Sequence, residues 1–342
     1  MASLTLRWRR FSRRCSPSGL RRLLLVTVLG LLVVLGAIAV GRVVFSPWQT
    51  LALLMGQGEP GPVFIVQQLR LPRLLLAALV GAALALSGLI LQSLVRNPLA
   101  SPDLLGITGG ASAGAVLYLA LLAPIWGSDW LPLAAILGAI LAALVVYLLA
   151  WRQGVSPLRL VLVGVGVTAL AAALTTFTLV FSPLTTTLSA YVWLTGSVYG
   201  ATGEQAAALA WCLLLVLLPL VPLARTVPVQ QLDDDAARGL GVRLQWVRAG
   251  LLLVSVGLAG AAVAWGGAMA FVGLIAPHMA RRLIGGGFVM QAIMAGLLGG
   301  LLVVLADLVG RTLFLPLDLP AGIFVAVLGA PYFLYLLLRQ TH

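Results

Sequence analysis

Apolar residues run along this chain in long unbroken blocks, each closed by Gly, Pro, Ser or Arg, not in short periodic stripes. Such blocks fall at 23–42, 74–94, 104–123, 131–151, 159–181, 205–223, 249–268, 271–284, 288–310 and 320–338. A helix needs about 20 apolar residues to cross the hydrocarbon core of a bilayer. In lipid every backbone N–H and C=O must be satisfied internally, which leaves helices or a closed barrel. Continuous Leu, Ala, Val and Gly blocks are not the ten-residue alternating strands of a barrel. The pattern predicts an all-α polytopic membrane protein of about ten transmembrane helices. The 249–284 pair is read from one apolar stretch interrupted at Gly266 and Gly267; a single crossing there would put the two termini on opposite sides.

Composition agrees: 61% of the 342 residues are hydrophobic and 9% are charged, against about 25% charged in a soluble domain. The net charge of +12 rests on 21 basic residues, all of them Arg. Seven (Arg7, Arg9, Arg10, Arg13, Arg14, Arg21 and Arg22) precede the first block. They are read as a topology anchor at a cytoplasmic membrane surface, with lipid and not nucleic acid as the partner. The block that follows is longer than a signal-peptide core and is read as an uncleaved first span. With the N-terminus inside, 17 Arg fall on the cytoplasmic side and only Arg42, Arg70, Arg73 and Arg311 on the other, so both termini are expected in the cytoplasm. Three segments between spans are long: Ser46–Leu71 and Ser182–Glu204 outside, and Arg225–Arg248 inside.

Candidate chemistry is sparse. Without Lys no Walker-type phosphate loop can exist, and the two His (His278 and His342) and two Cys (Cys15 and Cys212) form no cluster with ligand spacing. No metal, cofactor or catalytic residue is expected. The glycines of Gly110–Gly114 and Gly296–Gly300 lie on single helix faces, where backbones can pack closely. Asp307 and Arg311, one helical turn apart, read as an ion-pair staple; no deeper partners suggest a proton relay. Asp233, Asp234, Asp235, Ala236, Ala237, Arg238, Gly239, Leu240 and Gly241 read as a short loop helix, with the acids at its positive end and Gly239 or Gly241 terminating it.

Several ordered blocks carry a resemblance. They are Arg70-Leu-Pro-Arg73 running into Gly81–Gly88; Gln92-Ser-Leu-Val-Arg-Asn-Pro-Leu-Ala-Ser-Pro-Asp-Leu-Leu-Gly106; Trp193-Leu-Thr-Gly-Ser197; Phe271-Val-Gly-Leu-Ile-Ala-Pro-His-Met-Ala-Arg281; and Leu319-Pro-Ala-Gly-Ile323 with Gly329-Ala-Pro331. Together they resemble the iron–siderophore and vitamin B12 permease family of ABC importers, over nearly the whole chain. The resemblance implies one permease domain over 1–342, with 1–22 as a basic cytoplasmic segment, in the cell inner membrane. It implies a second permease subunit (identical or paralogous), two ATPase subunits, an extracytoplasmic binding protein and a ferric siderophore as substrate. It also implies roles. Arg70, Arg73 and Arg311 would dock the binding protein; Asp233–Gly241 would be the coupling helix for the ATPase. Asn97, Leu99 and Ser156 would belong to the inner gate, Tyr191 and Trp193 to the translocation mouth, and His278 would be structural. Vitamin B12 or haem is the alternative cargo. An ion-coupled secondary transporter would need an internal repeat or intramembrane acids, and neither is seen in the sequence.

Overall fold

The computed structural model describes residues 4–8, 11–15, 17–152, 156–232, 234–314 and 316–340. Leu4–Trp8 and Phe11–Cys15 pair as an antiparallel hairpin, a small departure from an all-α chain; Arg9 and Arg10 of the basic segment lie outside the described residues. Among the described residues, the regular elements after it are all helices. The helices are α1 (Pro17–Ala39), α2 (Pro47–Leu54), α3 (Pro60–Val95), α4 (Ile107–Leu121), α5 (Leu131–Ala150), α6 (Pro157–Val180) and α7 (Leu184–Leu194). They continue as α8 (Gly203–Leu217), α9 (Asp234–Gly239), α10 (Leu244–Gly266), α11 (Val272–Leu283), α12 (Phe288–Thr312) and α13 (Ala321–Gln340). Seven of these, α1, α3, α5, α6, α10, α12 and α13, are long and apolar enough to cross a membrane; α4 and α8 are shorter apolar helices.

Local chemistry sets several boundaries. Ser46 Oγ accepts from the Gln49 N–H while the Gln49 side chain accepts from the Ser46 N–H, and Pro47 fills the first helical position. This reciprocal cap starts α2 inside the long segment between the first two predicted spans. Thr202 and Gln205 start α8 in the same way. α3 begins well before its predicted start at residue 74. It carries a π-helical stretch over Ile65–Arg70, with the Leu71 N–H reaching back five residues to the Val66 carbonyl. Pro72 follows directly; a proline has no N–H and crowds the carbonyl four residues back, and the wider turn relieves that crowding.

α3 and α10 are the buried centre, whereas α1 and α6 turn most of their surface outward. The central packing is backbone on backbone. Gly81 of α3 faces Gly299 and Gly300 of α12, and Gly88 faces Gly273 of α11, so that a Cβ at either α3 position would strike a carbonyl. Gly110 and Gly114 of α4 meet Gly138 of α5 in the same manner. Between helices in lipid no hydrophobic driving force operates, so close approach and dispersion must hold the bundle.

The 249–284 stretch reverses direction. Ser255 of α10 meets Ser87, and Gly266, eleven residues later, meets Val80; α10 therefore runs antiparallel to α3. After Gly267 and Phe271, both in left-handed backbone, α11 runs back the other way. It starts beside Leu84 and Gly88, in the last third of α3, and its 12 residues make it about half the length of a spanning helix. Other irregular backbone fills the gap: Gly196 packs on Ala268 and Met269, Gly267 on the Trp193 carbonyl, and the Gly322 N–H donates to the Gly196 carbonyl at 3.0 Å.

Candidate functional site

Polar side chains gather at the two ends of the bundle and at the break between them. At one end Arg73 projects from α3 just after its π-helical stretch. Its Nε donates to Asp307 at 2.9 and 3.1 Å, and its two terminal nitrogens grip Asp318 at 2.8 and 2.7 Å. The guanidinium also lies 5.5 Å over the Tyr199 ring. Asp307 is 1% exposed. The staple read from sequence exists, with Arg311 3.5 Å from Asp307, but the tighter partner of Asp307 is Arg73, at 2.7 Å and 234 residues away.

Arg70 and Arg311 turn to a different task. Arg70 donates to the carbonyls of Ile38, Ala39 and Val43 and lies 5.0 Å over Phe45. Arg311 donates to the carbonyls of Ala37 and Val40. These carbonyls end α1, where the last turn has no intrahelical donors. Arg70, buried, and Arg311, partly buried, thus serve as its C-terminal cap. The sequence placed Arg70, Arg73 and Arg311 together as outward docking charges; the structure brings them together but commits all three within the chain. Arg73, through Asp318, keeps an edge near the surface, and Arg311 is partly exposed as well.

At the opposite end α3 stops at Arg96, whose backbone is left-handed. Arg96 donates to the Gln230 carbonyl at 3.0 Å and to Asp234 at 2.6 Å. Arg248, 3% exposed at the base of α10, donates to both oxygens of the same carboxylate at 2.8 and 3.0 Å. Asp234 therefore latches α9 onto α3 and α10. Ala237 is buried beneath α9, Leu240 is 65% exposed beyond it, and Gly241 closes the turn in left-handed backbone. Asp235, Ala236 and Gly239 are exposed; Asp233 and the Arg238 side chain lie outside the described residues. Burial pushes the Asp234 pKa up, but hydrogen bonds from Arg248 and Arg96 outweigh it and hold it below the ordinary carboxylate value. A group with a depressed folded-state pKa stabilises above its unfolded pKa and loses that contribution as pH falls through the folded one. Asp234→Asn is expected to lower the apparent thermal midpoint at neutral pH, and the deficit should close as the medium is taken below about pH 4. Midpoints of both proteins measured across that range check it; a deficit independent of pH would sink the latch.

Beside Arg96, the Asn97 side-chain oxygen accepts from the Leu99 N–H at 2.9 Å and fixes the turn. Ser156 stands apart, at the N-cap of α6. Tyr191 and Trp193 share α7, Tyr191 exposed and Trp193 half-buried with its carbonyl against Gly267. His278 meets Tyr332 edge-on at 6.0 Å, within the packing of α11 on α13.

The residue that sequence reasoning passed over is Asp103. One of its oxygens accepts from the Thr108 hydroxyl at 2.8 Å and the other from the Phe271 N–H at 3.4 Å, while its own carbonyl accepts from Thr168 at 3.1 Å. It clasps the 97–106 turn to the start of α11. A backbone N–H buried without a partner is costly, and Asp103 supplies an acceptor to that of Phe271. The Ser-Pro-Asp run preceding α4 was visible; its partner 168 residues on was not. Among the described residues no three His, Cys, Asp or Glu come together as a metal site.

A family model described as the FecCD transport family matches residues 27–339. The achromobactin transport system permease protein CbrC of Dickeya dadantii is 64% identical over 337 residues, covering 98% of this chain and 97% of that protein. The ferric enterobactin transport system permease protein FepG of Escherichia coli is 39% identical over 303 residues, covering 88% of this chain and 90% of that protein. A solved structure described as an inward-facing conformation of a putative metal-chelate type ABC transporter superposes with a TM-score of 0.83 at 30% identity, over 93% of this chain and 99% of its own.

Proposed function

We propose, from the premise that this chain belongs to the FecCD transport family, that it is the membrane permease of an ATP-driven importer carrying a ferric siderophore. The observation that carries this is end-to-end similarity to a permease named for achromobactin transport, 64% identical over 98% of the chain. The reading includes ten crossings, with α11 as a half-length one and both termini cytoplasmic in the inner membrane. The Arg96 end is then cytoplasmic and the Arg73 end faces outward, in keeping with 17 Arg on one side against four on the other.

The permease makes and breaks no covalent bond in this scheme. A binding protein delivers the chelate at the rim formed by Arg73 and Asp318, while Arg70 and Arg311 hold that rim to α1. The chelate passes between this chain and a second permease subunit, by Tyr191 and Trp193. Two ATPase subunits seat on α9, and their closure moves a helix latched to α3 and α10 through Asp234. The pull reaches the Asn97–Leu99 turn directly, because Arg96 is both the end of α3 and a partner of Asp234. Such a transition switches a packed element between discrete arrangements.

The test is uptake of radio-iron presented as ferric achromobactin and as other siderophores, with labelled cobalamin and haem alongside, in cells with and without the gene. Gene-dependent uptake of a ferric siderophore supports the reading; dependence of cobalamin or haem uptake alone would replace the substrate. Leu240→Glu tests the coupling. Leu240 is too exposed to contribute much to folding, yet an apolar anchor replaced by a charge in an interface costs at least about tenfold in binding. Uptake is expected to fall by that much at unchanged protein level, and unchanged uptake would remove α9 from the ATPase interface.

A further inference from the structure

Two cavities share the walls of α3 and α12. The larger, about 710 Å³, is a trough bounded by α1, α3, α12 and the stretch from Leu217 to Ala224. Its side chains are hydrocarbon except for the hydroxyl of Thr27, which is already bonded to the Leu23 carbonyl. The smaller, about 310 Å³, is lined by Gln92, Ser93, Arg96, Gln231, Arg281 and Gln291, with Pro98 at its edge. α3 sends Leu86 into the first and Ser93, two turns on, into the second; α12 sends Ala292 into the first and Gln291 into the second. An apolar trough therefore has a polar pocket on the same two helices, toward the Arg96 end.

The pocket is unbalanced in charge. Arg96 is neutralised in part by Asp234, but Arg281 has no hydrogen-bond or ion-pair partner among the described residues. A half-buried cation is costly unless an anion meets it, and a phosphoryl group offers the acceptor oxygens that paired guanidiniums suit. The trough beside it opens next to α1, whose Leu24 and Leu31 stand 67% and 60% exposed on the bilayer-facing side. Hydrocarbon on one side and cationic donors on the other match one kind of molecule.

We propose that the two cavities together hold a phospholipid with an anionic headgroup, its acyl chain in the α1–α3–α12 trough and its phosphoryl group between Arg281 and Arg96. The inference rests on the membrane orientation proposed above, which puts this pocket at the cytoplasmic leaflet, where anionic lipids concentrate. Because Arg96 also holds the Asp234 latch and Pro98 belongs to the neighbouring turn, such a lipid would brace the latch from the membrane side.

The test uses the purified full-length chain, stripped of lipid in detergent and then offered phosphatidylglycerol, phosphatidylethanolamine or inorganic phosphate. Native mass spectrometry reads the bound lipid, and the apparent thermal midpoint reads stabilisation. Phosphatidylglycerol is expected to be retained about fivefold better than phosphatidylethanolamine, as one basic side chain near a membrane surface implies. Arg281→Gln should erase that preference. Gly296→Leu, at a position where a Cβ meets nothing closer than 3.9 Å, should fill the trough and reduce both lipids. Equal retention of the two lipids, or a preference that survives Arg281→Gln, would overturn the proposal. So would inorganic phosphate stabilising as well as phosphatidylglycerol, which assigns the pocket to a free anion, or cross-linking of two copies through Ile293→Cys, which assigns the trough to a second chain. Uptake does not enter these readouts, so failure here with transport intact would sink the lipid site and leave the permease reading standing.

Discussion

Asp307→Ala is expected to destabilise the bundle by about 3–5 kcal/mol, the scale for removing one partner of a buried ion pair. The residue is 1% exposed and stands between Arg73 and Arg311. Without it two largely buried guanidiniums face each other across the space the carboxylate leaves. Asp318 can still hold Arg73, but only by its outer nitrogens; Arg311 keeps its α1 carbonyls and loses its counter-charge. Asp307→Asn retains the shape and an acceptor oxygen, and should fall between Asp307→Ala and the unaltered protein. Apparent thermal midpoints of the three proteins in one detergent, with the amount of folded protein recovered, decide it. An Asp307→Ala protein as stable as the parent would mean that Arg73 and Asp318 alone hold this end, and that the brace linking α3, α12 and α1 is not what fixes the rim.

Gly88→Ala is the second large effect, and its sign opposes helix propensity. In a helix interior Ala is ordinarily better than Gly by about 1 kcal/mol. At position 88 the added Cβ would land on the Gly273 carbonyl, in a contact already so close that a Cβ on Gly273 would in turn meet Pro102 and the Leu84 carbonyl. Overpacking of a tight site typically costs about 1–3 kcal/mol, and a collision with backbone, which cannot rotate away as a side chain can, belongs near the top of that range. The natural control is Gly166→Ala in α6, where a Cβ meets nothing within 4 Å; that change should be neutral or stabilising. Parallel measurement of expression and apparent midpoint gives the contrast. Two variants that behave alike would mean that α3 and α11 do not approach as described, and the half-length α11 would have to be repositioned.

The asymmetry between these glycines shows where sequence reasoning stops. Gly88 and Gly166 both sit inside apolar blocks, and nothing within either block says that one meets a backbone and the other meets open space. Helix positions were legible for the opposite reason, since the signals that place them are local. The block read at 131–151 is a helix over Leu131–Ala150, and that at 288–310 is one over Phe288–Thr312. The short helix within Ser46–Leu71 is local too: Ser46, Pro47 and Gln49 spell its start, but eight residues leave too little apolar run to announce it.

Local pattern was enough to read a membrane helix bundle, the rough bounds of most of its long helices, and the blocks that tie it to its family. The tertiary structure alone decided which helices are central. α1 is about as apolar as α3, yet α3 is mostly buried and α1 mostly exposed, because lipid and protein interior are equally good solvents for Leu and Val and composition cannot tell them apart. It alone also decided the polar pairings. Asp307 finds Arg73 across 234 residues, Asp103 finds the Phe271 N–H across 168, and Asp234 draws Arg96 to Arg248. Each pairing joins groups that must leave water and can do so only together, and which group meets which is a property of the folded path of the chain.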